Sequence, residues 1–185
     1  MGKIPAMMDG EGTIVYPALT GANLQGFRLT GLNFSKAFLR KAQLQGADLS
    51  RAQLQGANLT EAQLHTTDLY GAKLQGAILS SAQLKGADLA FAQLEGADLN
   101  FAEFDPDTNL KDANLRGAAV WFVDFTNVPQ IVNHLEHLFG DSTVRLPEGV
   151  ARPARFDMTY EDWEAFKTAW RAFQYSLGQD PENPE

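Results

Sequence analysis

Few residues in this chain have the types and spacing that chemistry needs. His134 and His137 lie three apart with Glu136 between them, and His65 stands alone. A structural zinc takes three or four converging ligands, and the chain has no cysteine to complete such a set, so neither a metal nor any other cofactor is expected. Asp48, Asp68 and Asp88 recur at intervals of 20, a spacing that can stack carboxylates only if the fold itself repeats every 20 residues. There is no Ser/His/Asp order, no phosphate loop and no carboxylate pair in a foreseeable pocket. What remains is aromatic surface chemistry: Phe101, Trp121 and Phe122, then Trp163, Phe166, Trp170 and Phe173.

The element that must position these groups is the stretch 42–100. A leucine falls on every fifth residue, with a small residue, nearly always alanine, two places before it. Five residues of α-helix rotate about 500°, which scatters the leucines around the axis. On a flat strand an odd spacing sends successive leucines to opposite faces. A square coil fits instead. Each five-residue unit makes one short side, with its Ala and Leu both inward, and four corners close a coil of 20 residues. Equivalent residues then stack at about 4.8 Å. The small position is small because four side chains share a narrow interior at native packing density.

These residues resemble the pentapeptide repeat family, whose motif is A-[D/N]-L-x-x. The match is close at Ala47-Asp48-Leu49, Ala57-Asn58-Leu59, Ala87-Asp88-Leu89, Ala97-Asp98-Leu99 and Ala113-Asn114-Leu115. The resemblance implies an all-β solenoid, a right-handed quadrilateral parallel β-helix, over residues 19–127. It implies little about activity. The stretch after the repeats, G-D-S-T-V-R-L-P-E-G-V-A-R-P, looks like an extension found in some bacterial members.

Read in order, residues 1–18 form an N-terminal segment and cap, with Ile14–Pro17 closing the first coil. Inward centres run from Leu19 every fifth residue to Phe104, then slip by one residue at Asp105-Pro106-Asp107 and resume at Leu110, Leu115, Val120 and Phe125. That makes about five coils and a rod roughly 26 Å long. Ile131, Val132, Leu135, Leu138 and Phe139 carry a helical stripe that predicts a capping helix over 128–140, stopped by Gly140. Residues 141–158, with Pro147, Gly149 and Pro153, predict an extended linker. An amphipathic aromatic helix is expected over 159–178, opened by a capping-box-like Thr159-x-x-Asp162, and 179–185 is expected to be a disordered tail.

In the 20-residue frame Arg28, Asp48, Asp68, Asp88 and Asn109 form one column. Carboxylates about 5 Å apart repel by only roughly 0.8 kcal/mol in water, so the column needs no ligand. Each Asp is expected to bond its own corner backbone, with a cation or a basic partner as the alternative. Asn23, Gln43, Gln63, Gln83 and Glu103 suggest an amide ladder. The formal net charge is −8. Residues 28–51 carry five basic residues against one acid, and 88–112 carry seven acids against one lysine, so the rod runs from basic to acidic.

A filled coil leaves no cleft, so an enzyme is not expected. The reading is a non-enzymatic scaffold that presents a surface for protein–protein interaction, with an unidentified protein partner. The alternative, from family resemblance, is DNA mimicry toward a type II topoisomerase, in the manner of gyrase inhibitors; the short rod and its basic early coils weigh against it. No nucleic-acid partner is expected. The absence of cysteine, of an N-terminal apolar run and of any apolar stretch of about 18 residues points to a cytoplasmic protein with no direct membrane insertion. The C-terminal helix and the coil ends are the candidate homodimer contacts. Helix 159–177 is expected to dock on the late coils of its own chain or of a second chain, covering the aromatic corner column of Phe101 and Phe122 with Trp121 beside it.

Overall fold

In the computed structural model the leucines of the five-residue period all turn inward. The structure describes residues 19–181 and the backbone of Met7–Met8 (β1) and Ile14–Val15 (β2), which pair antiparallel. The rest of the expected N-terminal cap lies outside the described residues, as does 182–185 of the tail.

Each side of each coil contributes one bridging residue. Asn23 pairs with Gln43, Gln43 with Gln63, Gln63 with Gln83 and Gln83 with Glu103, all parallel. The backbone accounting closes the same way along the regular coils, from Leu19 to Leu99. Leu44 N–H donates to Gln63 O of the next coil at 2.9 Å, while Leu44 O accepts Ala47 N–H at 3.0 Å and so closes its own corner. The two jobs are separated by direction, and the turn therefore does not compete with the ladder. The price of the corner is its conformation: the residue two after each centre sits near φ +60°, as in Gly46 (63°), Gly56 (63°), Glu61 (59°) and Thr66 (54°). A side chain there costs about 1–2 kcal/mol, which is why glycine recurs at this position.

Leu44, Leu54, Leu59 and Leu84 are fully buried, with Ala42, Ala52, Ala57, Ala82 and Ala97 beside them. Toward the late coils the channel between Leu89 and Leu138 is lined only by apolar side chains and has no room for water. Two threonines replace the small residue. Thr67 and Thr108 are buried; the Thr67 hydroxyl donates to Leu44 O at 2.8 Å, and the Thr108 hydroxyl, 3.0 Å from Leu84 O, donates to Asp105 Oδ1 at 2.9 Å, so neither carries an unmet polar group.

The inserted residue appears as a change of register. Gln83 pairs with Glu103 at an offset of 20, but Asp88 pairs with Asn109 at 21. The corner is held by Asp105, whose Oδ1 accepts from Gly86 N–H at 2.8 Å, Thr108 Oγ1 at 2.9 Å and Asp107 N–H at 3.2 Å. Burial alone would raise this carboxyl; the hydrogen bonds together hold it below its ordinary value.

Past residue 127 the structure departs from the sequence expectations. There is no capping α-helix over 128–140. Short 3₁₀ turns at Pro129–Asn133 and Leu135–His137 lead into a strand, Phe139–Gly140 (β4), parallel to Ala119–Val120 (β3). Gly140 continues a ladder instead of stopping a helix. The stripe is split accordingly: Ile131, Leu135 and Leu138 enter the core, Val132 is exposed, and Phe139 turns to the outer face beside Ala119. Nor is 141–158 a free linker. Arg145 pairs with Asp124, and Val144 and Phe156 are fully buried in the solenoid core. Coiling thus continues in irregular form and plugs its own end. The aromatic helix (α1) spans Trp163–Ser176, shorter than 159–178. Its N-cap is Asp162, which accepts from Ala165 N–H at 2.9 Å; Thr159 instead meets Ser142 Oγ at 2.6 Å. Gly178, at φ 74°, ends it. Gln179 is no loose tail residue, since its side-chain amide donates to Arg116 O at 2.9 Å.

Two stability outcomes follow from this geometry. Ala57→Leu overpacks a coil already at full density and should cost on the order of 1–3 kcal/mol in denaturant melts; a loss near zero would contradict the filled interior. Thr66→Gly should stabilise by about 1 kcal/mol, because it removes a β-branched side chain from left-handed backbone. A lower melting midpoint would show that the Thr66 contacts with the Gly86 corner outweigh that strain.

Candidate functional site

The carboxylates of the Asp48–Asp68–Asp88 column serve the coil itself. Each caps the backbone two residues on: Ser50 N–H donates to Asp48 at 3.1 Å, Tyr70 N–H to Asp68 at 2.9 Å and Ala90 N–H to Asp88 at 3.0 Å. Hydroxyls of Ser50 and Thr30, both at 2.6 Å, hold the Asp48 carboxyl below its ordinary value. Asn109 Nδ2 meets Asp88 at 3.0 Å. The glutamines do not bond straight up their column. They pair diagonally, a residue just after a leucine donating to the residue 18 positions on: Gln25 to Gln43, Gln45 to Gln63 and Gln75 to Gln93. Ser80 to Asp98 and Lys85 to Glu103 follow the same diagonal, each at 2.7 Å.

The aromatic residues are joined through Trp121, which packs on Phe101 and Phe122 at 5.7 and 5.1 Å between ring centroids as well as on α1. Trp163 and Phe166 of α1 stack on Trp121 at 6.0 and 5.2 Å between ring centroids. Phe166 and Phe173 also pack on Phe139 at 5.1 and 5.4 Å. Trp170 Nε1 donates to Gly117 O at 2.7 Å, and Arg116 Nη2 donates to Leu177 O at 2.6 Å. The helix therefore lies on the face carrying Ala119 and Phe139. It does not cover the corner column, as the sequence reading supposed. Phe101 and Phe122 stack on each other at 5.3 Å with planes 6° apart, and stay 45% and 53% exposed. A corner stands at the edge between two faces, and a helix resting on one face leaves it bare. Phe139 is the anchor that sequence reasoning missed; its offset of 20 from Ala119 was the available signal.

The docked helix also creates a cleft, contrary to the expectation that a filled coil has none. About 870 Å³ lies between α1 and the outer face of the middle coils, bordered by Gln75, Glu95, Asp98, Trp163, Lys167 and Trp170. Burial pushes the carboxyls of Glu95 and Asp98 up, although Asn114 bonds Glu95 and Ser80 and Asn100 bond Asp98. Gly96 and Gly117 let the helix end approach: a Cβ on Gly96 would sit 2.9 Å from Gln174 Nε2. The histidines form no metal centre. His134 is buried, and burial lowers its imidazole; among the described residues no three His, Asp or Glu converge on a metal position.

Comparison with known proteins agrees with this architecture. The family model for pentapeptide repeats, in 8 copies, matches residues 18–51, 47–82 and 77–105, and the chain belongs to the pentapeptide repeat family. A similar solved structure is the pentapeptide repeat protein Rfr23 of the cyanobacterium Cyanothece 51142, with 26% identity, 74% of this chain and 92% of that chain covered, and a TM-score of 0.57. A pentapeptide repeat protein of Nostoc PCC 7120 shares 32% identity over 56% of this chain and 86% of its own, at a TM-score of 0.32. QnrB1, a plasmid-mediated fluoroquinolone resistance protein, matches in a trypsin-treated form at 20% identity over 72% of this chain and 79% of its own, with a TM-score of 0.35. Comparison with curated proteins gives no match. No helix among the described residues is long and apolar enough to cross a membrane.

Removal of the docked helix tests the packing. A chain ending at Met158 keeps Phe156 in the core but uncovers Trp121 and Phe139. It should bind a hydrophobic dye and melt several degrees lower. Equal melting and dye binding would mean that the aromatic contacts contribute nothing to stability.

Proposed function

We propose that this protein is a non-enzymatic scaffold whose partner-binding surface is the exposed aromatic edge of the late coils, centred on Phe101 and Phe122. The observation that carries this reading is the stacked, half-exposed pair held at φ 59° and 53°. Bulky side chains in left-handed backbone cost stability, and the same corner position holds glycine at many units and residues such as Lys41, Arg51, Glu61 and Phe91 at others. Two phenylalanines kept there, at the surface, are hard to account for by folding alone. A shallow groove of about 320 Å³ adjoins them, with Glu103, Asp105 and Asp124 against Lys85 on its walls. The excess of acid disfavours phosphate, so a nucleic acid or an anionic membrane is a poor occupant. A protein partner offering an apolar side chain beside a basic one fits both groove and pair. The proposed setting is cytoplasmic. Asp48, Asp68 and Asp88 enter this reading as corner-capping residues, and α1 as a support for the coils, since its aromatic face is used within its own chain.

The test compares the parent with the double variant Phe101→Ser, Phe122→Ser in affinity isolation from the native host. The variant should stay folded, with unfolding free energy within about 1 kcal/mol of the parent. A protein recovered in stoichiometric amount with the parent should be lost, and its affinity for the variant should fall by roughly 30-fold or more. Recovery of the same partners by both chains would defeat the proposal.

A further inference from the structure

The contact between α1 and the coils has two unlike halves. One is dry and aromatic, where Trp163 and Phe166 stack on Trp121 and where Phe166 and Phe173 pack on Phe139. The other is polar. Glu95 and Asp98 border the cleft beneath the helix, and Glu95 Oε2 is buried without a partner. Among the described residues no ion pair joins either carboxylate to a basic group.

The repeat supplies its own comparison. Asp48 and Asp98 hold the same place in their units. Each accepts a hydroxyl from 18 positions before it, Thr30 at 2.6 Å and Ser80 at 2.7 Å. Each also accepts the backbone N–H two positions on, Ser50 at 3.1 Å and Asn100 at 3.0 Å. Asp48, on a face that carries no helix, is held below its ordinary value by the Ser50 and Thr30 hydroxyls. Asp98, beneath α1, is pushed above it by burial, and so is Glu95. The same motif changes sign where the helix covers it.

The helix is also attached in a way that lets it leave. Phe156 is fully buried in the core, Ser142 N–H donates to Met158 O at 2.8 Å, and the Ser142 and Thr159 hydroxyls meet at 2.6 Å. Between that anchor and Trp163, residues 160–162 are exposed or half-exposed. We propose that α1 is a releasable cover, seated on the late coils in mild acid and loosened toward neutral pH as the two carboxylates beneath it become charged. The sign follows from burial. A carboxyl raised by the docked helix favours docking below the ordinary carboxylate range, and that contribution is lost as pH rises through the raised values. The charged groups facing the pair are Arg116 on the coils, Lys167 and Arg171 on α1, and Asp180 just after it. The three cations favour the ionised carboxylates and so limit the effect; burial still prevails at both. Release uncovers Trp121 and Phe139, and Trp121 already packs on Phe101 and Phe122, so the exposed edge grows into a wider apolar surface. That consequence rests on the partner-binding reading above. The pH dependence does not, and its test reads the helix alone.

Amide exchange of α1 in the full chain is followed by mass spectrometry at pH 4 and pH 7, each rate being divided by that of an unstructured peptide at the same pH. A helix of 14 residues is marginal on its own, so exchange reports release. One carboxyl changes the opening constant up to about tenfold for each pH unit by which docking raises it. Opening should be at least threefold greater at pH 7 than at pH 4. The double variant Glu95→Gln, Asp98→Asn should lose this rise. Lys167→Gln leaves both carboxylates in place and decides the matter if the double variant folds poorly; it should raise opening at pH 7 at least twofold and leave pH 4 unchanged. The proposal is overturned if opening in the parent rises less than threefold, if the double variant keeps the rise, or if Lys167→Gln acts equally at both pH values.

Discussion

Everything in this molecule depends on the width of the coil interior. Four inward leucines or phenylalanines and four small neighbours must fill each level without leaving space for water, as they do from Leu44 to Leu99. That constraint sets the five-residue unit, because the side must be just long enough to point two side chains inward before the corner. It also sets the backbone at the corner. The chain turns tightly by placing one residue near φ +60°, and among the described residues ten other than glycine accept that strain. Burial of the leucines outweighs it many times over.

A filled solenoid solves packing along its length and leaves it unsolved at the end. The last coils meet that problem by becoming irregular. Val144 and Phe156 enter from a segment that no longer follows the period, and Arg155 binds the carbonyls of Leu138 and Leu135 beside them. β4 then presents Phe139 outward, and this outward ring, with Trp121, is what holds α1. The helix is thus a consequence of the plug, and the cleft is a consequence of the helix.

The legibility of the chain follows the same division. From residue 19 to 125 every position repeats its environment, so spacing alone identified the inward centres, the columns and the slip at Asp105-Pro106-Asp107. Beyond 127 each residue has a unique setting. Ile131, Leu135, Leu138 and Phe139 satisfy a helical stripe as well as they satisfy two 3₁₀ turns and a strand, and periodicity cannot separate them. Offsets could have: Ala119 to Phe139 is 20, and Asp124 to Arg145 is 21. The aromatic face of α1 was readable from Trp163, Phe166, Trp170 and Phe173, but its landing place was not, because Phe139 had been assigned to the interior. The cleft was invisible for a stronger reason: it is formed between residues 75–98 and 163–180, which no local pattern connects.

The carboxyls raised by burial mark where the covering helix changes the coil. Inside the coil even Thr67 and Thr108 find partners. Outside it, side-chain atoms without a protein partner occur on Gln75, Glu95 and Gln179 around the cleft and on Gln45 and Asn100 away from it, while the carboxyls raised by burial, Glu95 and Asp98, both stand at the cleft. At equivalent positions elsewhere in the repeat such residues are part-exposed and bonded to neighbouring corners, as Gln43 is to Gln25 and Glu61 to Arg40 and Lys41. Where α1 lies across the face, Glu95 and Asp98 lose much of their water. A regular repeat with one covering helix therefore changes the chemistry of a few of its members without changing their sequence motif, and specificity in such a scaffold arises from what is laid over the repeat.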